Sequence, residues 1–436
     1  MQVSIKRDGN SIALFLALTV AAYTNLGISI GGYVAGAILS LLGLAVFALK
    51  SRNGLIDNRG KAFSSVVWIC LSWFLGLVFD PLFSDNLEQV KSLALMFSAL
   101  IVFVSVFRLI EEIGVEKFSR IARLLVVVTL LGCALEVYTP FTTDGVRAAL
   151  YGESLLYASD ARDIEIFGNI RPKFFTQEPS HVAKFLTFMT CAFGLSSKGT
   201  KLQTMVMFVA GLLLTGSPSM FFGVMIYLLG LHYRHFGRNA AHRLVAVAIV
   251  CLLLFIYLNL PYFAQFVPIA RAQSIANNTD VSTLLRSSGP AEIALRTMIR
   301  YPLAGTGIGA RELVQDIVIE VYAKNPYVFI QRFILNPGYS GWGSALFELF
   351  VYGGVVFSAV LVALYIRLFW GMTGVLFFPT AAATLILLSD AGFVAPRVWF
   401  YIALVLASSH VGLKLTEPLK RRRIRFTLST KTSGFS

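Results

Sequence analysis

The sequence predicts an all-α, polytopic membrane protein with about twelve transmembrane helices and two large loops on one side of the membrane. The first observation is composition, since 56% of the 436 residues are hydrophobic and only 14% are charged. A soluble domain carries about 25% charged residues. The second observation is a mean hydropathy of +0.73, and the third is a series of apolar runs separated by polar connections. Such a chain must bury most of its surface in lipid, which excludes a soluble enzyme.

Several of the apolar runs are close to the minimum of about 17 residues that a membrane helix needs, and the runs fall into three groups. Within residues 1–138 the predicted spans are 11–26, 33–49, 63–79, 92–110 and 121–138. Within residues 181–260 they are 181–195, 204–215, 220–234 and 244–260. Within residues 344–413 they are 344–369, 374–389 and 399–413.

The distribution of Lys and Arg predicts the orientation of these spans. Basic residues follow the even-numbered spans, and the tail 414–436 carries a basic run at 420–423. Because cytoplasmic connections are enriched in Lys and Arg, both termini are predicted to be cytoplasmic. The tail is expected to lie against anionic lipid, so the net charge of +14 does not predict nucleic-acid binding.

Two connections, residues 139–180 and 261–343, are too long to be simple turns, and both fall on the predicted outer side. They are rich in Arg and Lys, which translocated loops tend to lack. Guanidinium groups match phosphate oxygens in a bidentate geometry, so these loops predict an anionic ligand. The alternative is that the basic residues pair with Asp and Glu of the same loops.

The second loop contains a predicted helix, residues 289–300, on which Arg296 and Arg300 share one face. Gly305 and Gly307 follow, and a Gly-rich turn can direct backbone N–H groups toward an anion. Arg311 is a further candidate. The alternative for the two helical arginines is a salt-bridged surface.

The first loop ends on Glu178 and His181, at the start of the sixth span. A carboxylate beside an imidazole can act as a general base, although Glu178 as a helix cap and His181 as an interface residue is the alternative. Ionisable residues near span ends often face a cavity, and the candidates are Lys184, Glu348 and Arg397. Snorkelling to the membrane surface is the alternative for Lys184 and Glu348, and pairing with Asp390 is the alternative for Arg397. The four Cys residues lack metal-ligand spacing, so no metal site is predicted.

Three stretches make the chain resemble the Wzy-type O-antigen polymerases, within the wider O-antigen ligase-like family. Residues 171–181 are similar to the family's Arg…Phe…Glu-Pro-Ser signature, which opens a span. Residues 296–309 contain a Pro-x-x-Gly-x-Gly core, and residues 340–354 contain Glu348 followed by Gly353 and Gly354. The likeness covers residues 138–365.

The resemblance implies a GT-C-like membrane glycosyltransferase of the bacterial inner membrane, with its active site facing the periplasm. Such proteins transfer a glycan chain from undecaprenyl pyrophosphate onto a new lipid-linked repeat unit, without a metal, a nucleotide sugar or another cofactor. Glu178, or else His181, is then the expected general base. The residues expected to bind the pyrophosphate are Arg171, Arg296, Arg300, Arg311, Gly305 and Gly307.

The partners that the resemblance implies are the lipid-linked donor and acceptor, membrane lipids, and a chain-length regulator and a flippase of the same pathway. Two alternative functions stay open. O-antigen ligases tend to carry a catalytic His after the second loop, and residues 336–344 contain none, which favours the polymerase. A transporter or flippase of lipid-linked sugars is the other alternative, but no long central cytoplasmic loop divides the chain into halves.

Overall fold

The computed structural model describes most of the predicted spans and parts of both loops. It covers residues 2–25, 28–30, 33–35, 37–51, 60–78, 86–139, 141–152, 170–196, 201–217, 219–236, 288–310, 312–323 and 343–413. The predicted span 244–260, the basic tail 414–436 and much of the second loop lie outside these residues.

The described secondary structure is helical apart from one short β hairpin. The N-terminal elements are α1 (Gln2–Thr24), β1 (Ile28–Ile30), β2 (Tyr33–Ala35), α2 (Ala37–Ser51), α3 (Gly60–Val78), α4 (Asn86–Ile113), α5 (Val115–Tyr138) and α6 (Asp144–Tyr151). The central helices are α7 (Pro179–Ser196), α8 (Lys201–Thr215) and α9 (Ser219–Phe236). The remaining helices are α10 (Ser288–Arg300), α11 (Gln315–Ala323), α12 (Ala345–Gly353), α13 (Val356–Thr373), α14 (Phe377–Ser389) and α15 (396–413).

Within the described residues, three helices are long and apolar enough to cross a membrane. They are Gln89–Ile113, Val115–Tyr138 and Val356–Thr373. Other helices, such as Lys201–Thr215 and Phe377–Ser389, are apolar but shorter. The total of about twelve spans and the side on which each loop lies therefore stay predictions.

Two helices present continuous apolar faces at the surface of the molecule. On α5 the exposed side chains are Leu124, Val128, Leu131 and Leu135, which recur at the spacing of one helical face. On α8 they are Leu202, Val206, Val209 and Leu213. Soluble monomers rarely expose apolar patches of this extent, so both faces suit contact with lipid.

Contacts between helices show their relative directions. Ser40 and Ser98 pair through their hydroxyls at 3.0 Å, and Ser105 donates to the Gly43 carbonyl at 3.3 Å, so α2 and α4 run parallel. Ser11, in the middle of α1, donates to Glu112 near the end of α4 at 2.8 Å. The parallel direction of α2 and α4 agrees with the predicted order of spans, in which these helices are the second and the fourth.

The prediction of one helical span at 33–49 was wrong at its start. Tyr33–Ala35 is a strand that pairs with Ile28–Ile30, in a register that places Ile30 opposite Tyr33. The sequence at positions 31 and 32 is Gly-Gly, a pair that favours a hairpin over a continuous helix. The helix α2 begins at Ala37.

The prediction of one continuous span at 344–369 was also wrong, because α12 ends at Gly353 and α13 begins at Val356. The turn that follows α10 fills this break. Thr306 and Gly307 donate their N–H groups to the Val351 and Tyr352 carbonyls at 3.0 and 3.1 Å. In the other direction, the first turn of α13 donates to the Pro302 and Leu303 carbonyls at 2.8 and 3.1 Å. The turn thus satisfies backbone groups that a broken helix would leave unpaired in an apolar environment.

Two glycines allow the turn and the broken helix to approach this closely. A Cβ on Gly305 would lie 2.3 Å from the Val351 carbonyl oxygen and 2.4 Å from the Gly354 nitrogen. A Cβ on Gly354 would lie 2.5 Å from the Gly305 nitrogen. Both residues also have positive φ values, 64° and 59°, which glycine adopts without a steric penalty.

We expect Gly305→Ala to destabilise the protein more than Gly374→Ala. Gly374 has a φ of 73° but open space around its Cβ position. The only cost of its substitution is therefore that of placing Ala in the left-handed region, about 1–2 kcal/mol. Gly305→Ala adds an overlap with backbone atoms that cannot rotate away, about 1–3 kcal/mol more. Chemical unfolding of both variants in detergent measures the difference. Equal losses would show that the turn does not pack tightly into the break.

Candidate functional site

A buried ion-pair cluster joins three helical elements, and we call its residues, Lys184, Asp390 and Arg397, the Asp390 cluster. Lys184 Nζ donates to Asp390 Oδ1, and the Ala391 N–H donates to the same oxygen at 2.8 Å. Arg397 Nη2 lies 3.7 Å from that oxygen. The Asp390 side chain is fully buried, and the Lys184 and Arg397 side chains are 7% and 10% exposed. Three charges thus share one enclosed volume.

The helix ends around it hold this cluster in place. Asp390 directly follows α14, and its carbonyl accepts the Ala345 N–H at the start of α12 at 2.7 Å. Lys184 lies on α7, close to where that helix begins at Pro179. Arg397 lies at the beginning of α15. The cluster therefore lies where three helices begin and one ends, on the side that the charge rule predicts to be periplasmic.

The Asp390 cluster carries an excess of positive charge. Two cations face one carboxylate, and within the part of the chain that the structure describes, Arg397 Nε and Nη1 and Asp390 Oδ2 are buried without hydrogen-bond partners. Burying an uncompensated charge costs several kcal/mol, and buried donors are normally satisfied. An anionic ligand would supply both the missing charge and acceptors for the guanidinium group.

A carboxylate–imidazole pair adjoins the cluster. His181 Nε2 lies 3.5 Å from Glu178 Oε1, and Ser180 Oγ donates to Glu178 Oε2 at 3.0 Å. His181 is buried, whereas the Glu178 side chain is 45% exposed. The charges of Arg397, Lys184 and Asp390 all act on the His181 imidazole. The two predicted base candidates therefore lie together, beside two of the predicted cavity residues.

Side chains from α6 bind the backbone that leads to Glu178. Arg147 Nε donates to the Thr176 carbonyl at 2.7 Å, and Arg147 Nη2 donates to the Gln177 carbonyl at 3.1 Å. The Tyr151 hydroxyl lies within 3.0 Å of the Phe175 carbonyl. Burial raises the pKa of Tyr151 to about 12, against the opposing charges of Arg147 and Arg397, so this phenol stays a donor at neutral pH.

Asp144 is the carboxylate partner of Arg147. Partial burial opposes its ionisation, but the hydrogen bond from Thr142 and the charges of Lys173 and Arg147 outweigh burial and lower the pKa of Asp144. Asp144 is therefore ionised at neutral pH, and Arg147 is charge-compensated within the first loop. This arginine is a structural donor rather than a free anion ligand.

Glu348, the third predicted cavity residue, binds the connection that carries Asp390 and Arg397. Its carboxylate accepts the Tyr352 hydroxyl at 2.7 Å and the Phe393 N–H, and its side chain is fully buried. Glu348 therefore fixes the connection between α14 and α15. The structure thus brings Lys184, Glu348 and Arg397 to one end of the bundle.

The anion-binding role predicted for Arg296 and Arg300 does not agree with their contacts. Arg296 pairs with Glu292 at 2.7 Å and with Glu320 at 2.9 Å, and Arg300 pairs with Asp316 at 2.5 Å. The hydrogen bond from Arg300 lowers the pKa of Asp316, so that pair is ionic at neutral pH. The alternative of a salt-bridged surface, with α10 held against α11, describes this geometry.

The N–H groups of the glycine turn also bind protein acceptors. The N–H of Gly305 donates to the Tyr301 carbonyl at 3.2 Å, and the N–H of Gly307 donates to the Tyr352 carbonyl. Both N–H groups were predicted to face an anion, but that of Gly307 binds the end of the broken helix and that of Gly305 closes a local turn onto Tyr301. Of the remaining predicted ligands, Arg171 is half-buried and Arg311 lies outside the described residues.

Sequence reasoning identified most members of this site but not the contacts between them. It suggested a pairing of Asp390 with Arg397, but not the one with Lys184. It did not foresee that Arg147 binds backbone carbonyls. An ionisable side chain beside an apolar run indicates that the side chain is buried, but it does not indicate which residue it pairs with.

Comparison with known proteins adds no further constraint. Neither models of protein families, nor curated proteins, nor solved structures gave a significant match to this chain. Among the described residues, no group of three or more His, Cys, Asp and Glu could hold a metal ion.

Proposed function

We propose that this chain is a membrane glycosyltransferase that polymerises surface-polysaccharide repeat units carried on undecaprenyl pyrophosphate. The observation that supports the proposal is the Asp390 cluster, in which buried positive charge exceeds buried negative charge beside the Glu178–His181 pair. A polymerase needs these two functions together, namely cations for a diphosphate leaving group and a base for an acceptor hydroxyl.

In the proposed reaction, the acceptor hydroxyl attacks the anomeric carbon of the donor glycan. The bond between that carbon and the phosphate oxygen breaks, a glycosidic bond forms, and undecaprenyl pyrophosphate leaves. The proton of the hydroxyl passes to Glu178, whose side chain is exposed enough to meet it. Arg397 and Lys184 stabilise the negative charge that develops on the leaving pyrophosphate, as preorganised donors do in enclosed sites.

The proposal revises the set of pyrophosphate ligands. Arg397 and Lys184, first predicted as cavity residues, take the role that the sequence assigned to Arg296, Arg300, Gly305 and Gly307. Asp390 holds the two cations in position, and Glu348 holds the connection that carries Asp390. The reaction is proposed to need no metal and no nucleotide sugar, and to take place on the periplasmic face of the inner membrane.

Deletion of the gene, followed by gel analysis of surface lipopolysaccharide, tests the proposal. We expect the deletion strain to show the lipid core carrying a single repeat unit, with polymer restored by the full-length chain. Loss of all attached polymer would indicate a ligase instead. Retention of the repeat unit on the cytoplasmic side would indicate a flippase. If residues 139–180 were labelled by a reagent confined to the cytosolic side, the active site could not be periplasmic.

A further inference from the structure

The segment 173–177 has no regular secondary structure, yet side chains from three helices bind its backbone. On the carbonyl side, Phe174 accepts the Tyr23 hydroxyl of α1. The Phe175 carbonyl lies 3.0 Å from the Tyr151 hydroxyl of α6, which also contacts the Thr24 carbonyl at 2.6 Å. The next two carbonyls both accept Arg147. Four consecutive carbonyls are therefore in contact with side-chain donors. A segment with a purely connecting role would be expected to lie on the surface and bind water.

The N–H groups of the same segment are bound in a similar way by the end of α5. Glu136 Oε2 accepts the N–H groups of Lys173 and Phe174 at 2.8 and 2.7 Å. Glu136 Oε1 accepts the Thr143 hydroxyl, whose oxygen in turn lies 3.3 Å from the Phe175 nitrogen. The Glu136 carboxylate thus holds the first two residues of the segment, and the Arg147 guanidinium group holds the last two.

These contacts hold a strained backbone. Phe174 and Phe175 have φ values of 25° and 62°, and a non-glycine residue in this region costs about 1–3 kcal/mol. The Phe174 ring also lies against Gly132 of α5, where a Cβ would come within 2.1 Å of it. Such a conformation persists only where its surroundings determine it, and it is found most often at functional sites.

The strained segment leads directly into the Glu178–His181 pair. Thr176 Oγ1 lies 2.6 Å from the Lys173 carbonyl and 2.9 Å from the Glu178 carbonyl, so it links the two ends of the segment. The N–H of His181 donates to the Glu178 carbonyl at 3.0 Å. Any shift of the segment would therefore move Glu178 and His181 relative to Arg397.

We infer that Arg147 and Glu136 are positioning residues, which fix Glu178 and His181 against the Asp390 cluster without contacting substrate. The inference rests on the proposed function for what the two positioned residues do. Arg147 is 1% exposed, and its Nε, Nη1 and Nη2 all bind protein acceptors, so it is not available to a ligand. Its planar fork binds two successive carbonyls and one carboxylate at once, which the single ammonium group of Lys cannot do.

The test uses Arg147→Lys and Glu136→Gln in the purified full-length chain. Arg108→Lys is the matched control, because Arg108 pairs with Glu111 at 3.4 Å on α4, away from this segment. We expect about tenfold faster backbone hydrogen exchange across residues 171–178 in the two variants, since one or two of the hydrogen bonds are lost there. His181, buried in the parent, should become reactive toward diethyl pyrocarbonate. Polymer formation should fall by at least tenfold, with a changed pH profile.

Several outcomes would overturn the inference. Exchange and His181 reactivity equal to those of Arg108→Lys would show that Arg147 does not order the segment. Faster exchange throughout the chain, with an unchanged pH profile of polymer formation, would indicate a general stabilising role. If the parent chain forms no polymer, the proposed function fails, whereas local exchange and His181 reactivity still decide whether Arg147 and Glu136 position the pair.

Discussion

Replacing Arg397 with Gln is expected to reduce polymer formation by about 100- to 1,000-fold, the loss found when one preorganised donor is removed from an enclosed site. The substitution removes one of the two buried cations and leaves Lys184 paired with Asp390. The remaining pair is neutral, so the variant should fold and reach the membrane in normal amounts. Loss of activity without loss of protein separates the proposed role from a purely structural one.

Controls for Arg397→Gln come from the second loop. Arg296→Gln and Arg300→Gln remove cations whose side chains are 34% and 48% exposed and engaged with carboxylates. Exposed pairs of this kind contribute about 0–1 kcal/mol to stability, and neither variant should shorten the polymer.

A binding measurement gives a second readout that does not depend on activity. Inorganic pyrophosphate should raise the melting temperature of the parent chain in detergent and have no such effect on Arg397→Gln. Full-length polymer from Arg397→Gln, or unchanged stabilisation by pyrophosphate, would rule out the Asp390 cluster as the diphosphate site.

Replacing Asp390 with Asn is expected to destabilise the folded protein by about 3–5 kcal/mol, the cost of removing one partner from a buried ion pair. Lys184 and Arg397 would then be two buried like charges that have lost the carboxylate they share. Removing either cation instead leaves a neutral pair, so Lys184→Met and Arg397→Gln should each cost clearly less. Removing the carboxylate is expected to cost more than removing either cation, because the cluster has two cations and one carboxylate.

Denaturant unfolding in detergent measures these differences in unfolding free energy. The comparison requires that the unfolding free energy falls with denaturant concentration at the same slope in every variant. The double variant with Asp390→Asn and Lys184→Met should recover part of the loss, because one of the two uncompensated cations is gone. Additive costs in the double variant, or equal costs in all single variants, would contradict the charge account of the cluster.

Among the candidate residues, contacts between residues close in the sequence could be predicted, whereas contacts between distant residues could not. Glu178 and His181 are three residues apart at the start of one helix, and their contact at 3.5 Å could be predicted from local spacing. Lys184 and Asp390 are 206 residues apart, so no spacing rule links them. Arg296 and Arg300 were placed correctly on one helix, but their partners on α11 depend on how two helices pack.

Taken alone, the sequence predicted a membrane protein, most of the helix positions and several of the residues that carry buried charge. Apolar length and the scarcity of charge suffice for these features, because each depends on a residue and its near neighbours. Only the tertiary structure decided which acceptor each long cationic side chain binds and where a helix breaks. Arg and Lys reach partners on any neighbouring element, and the N–H group of Gly307 binds a carbonyl of α12 that only the packing of the turn brings to it.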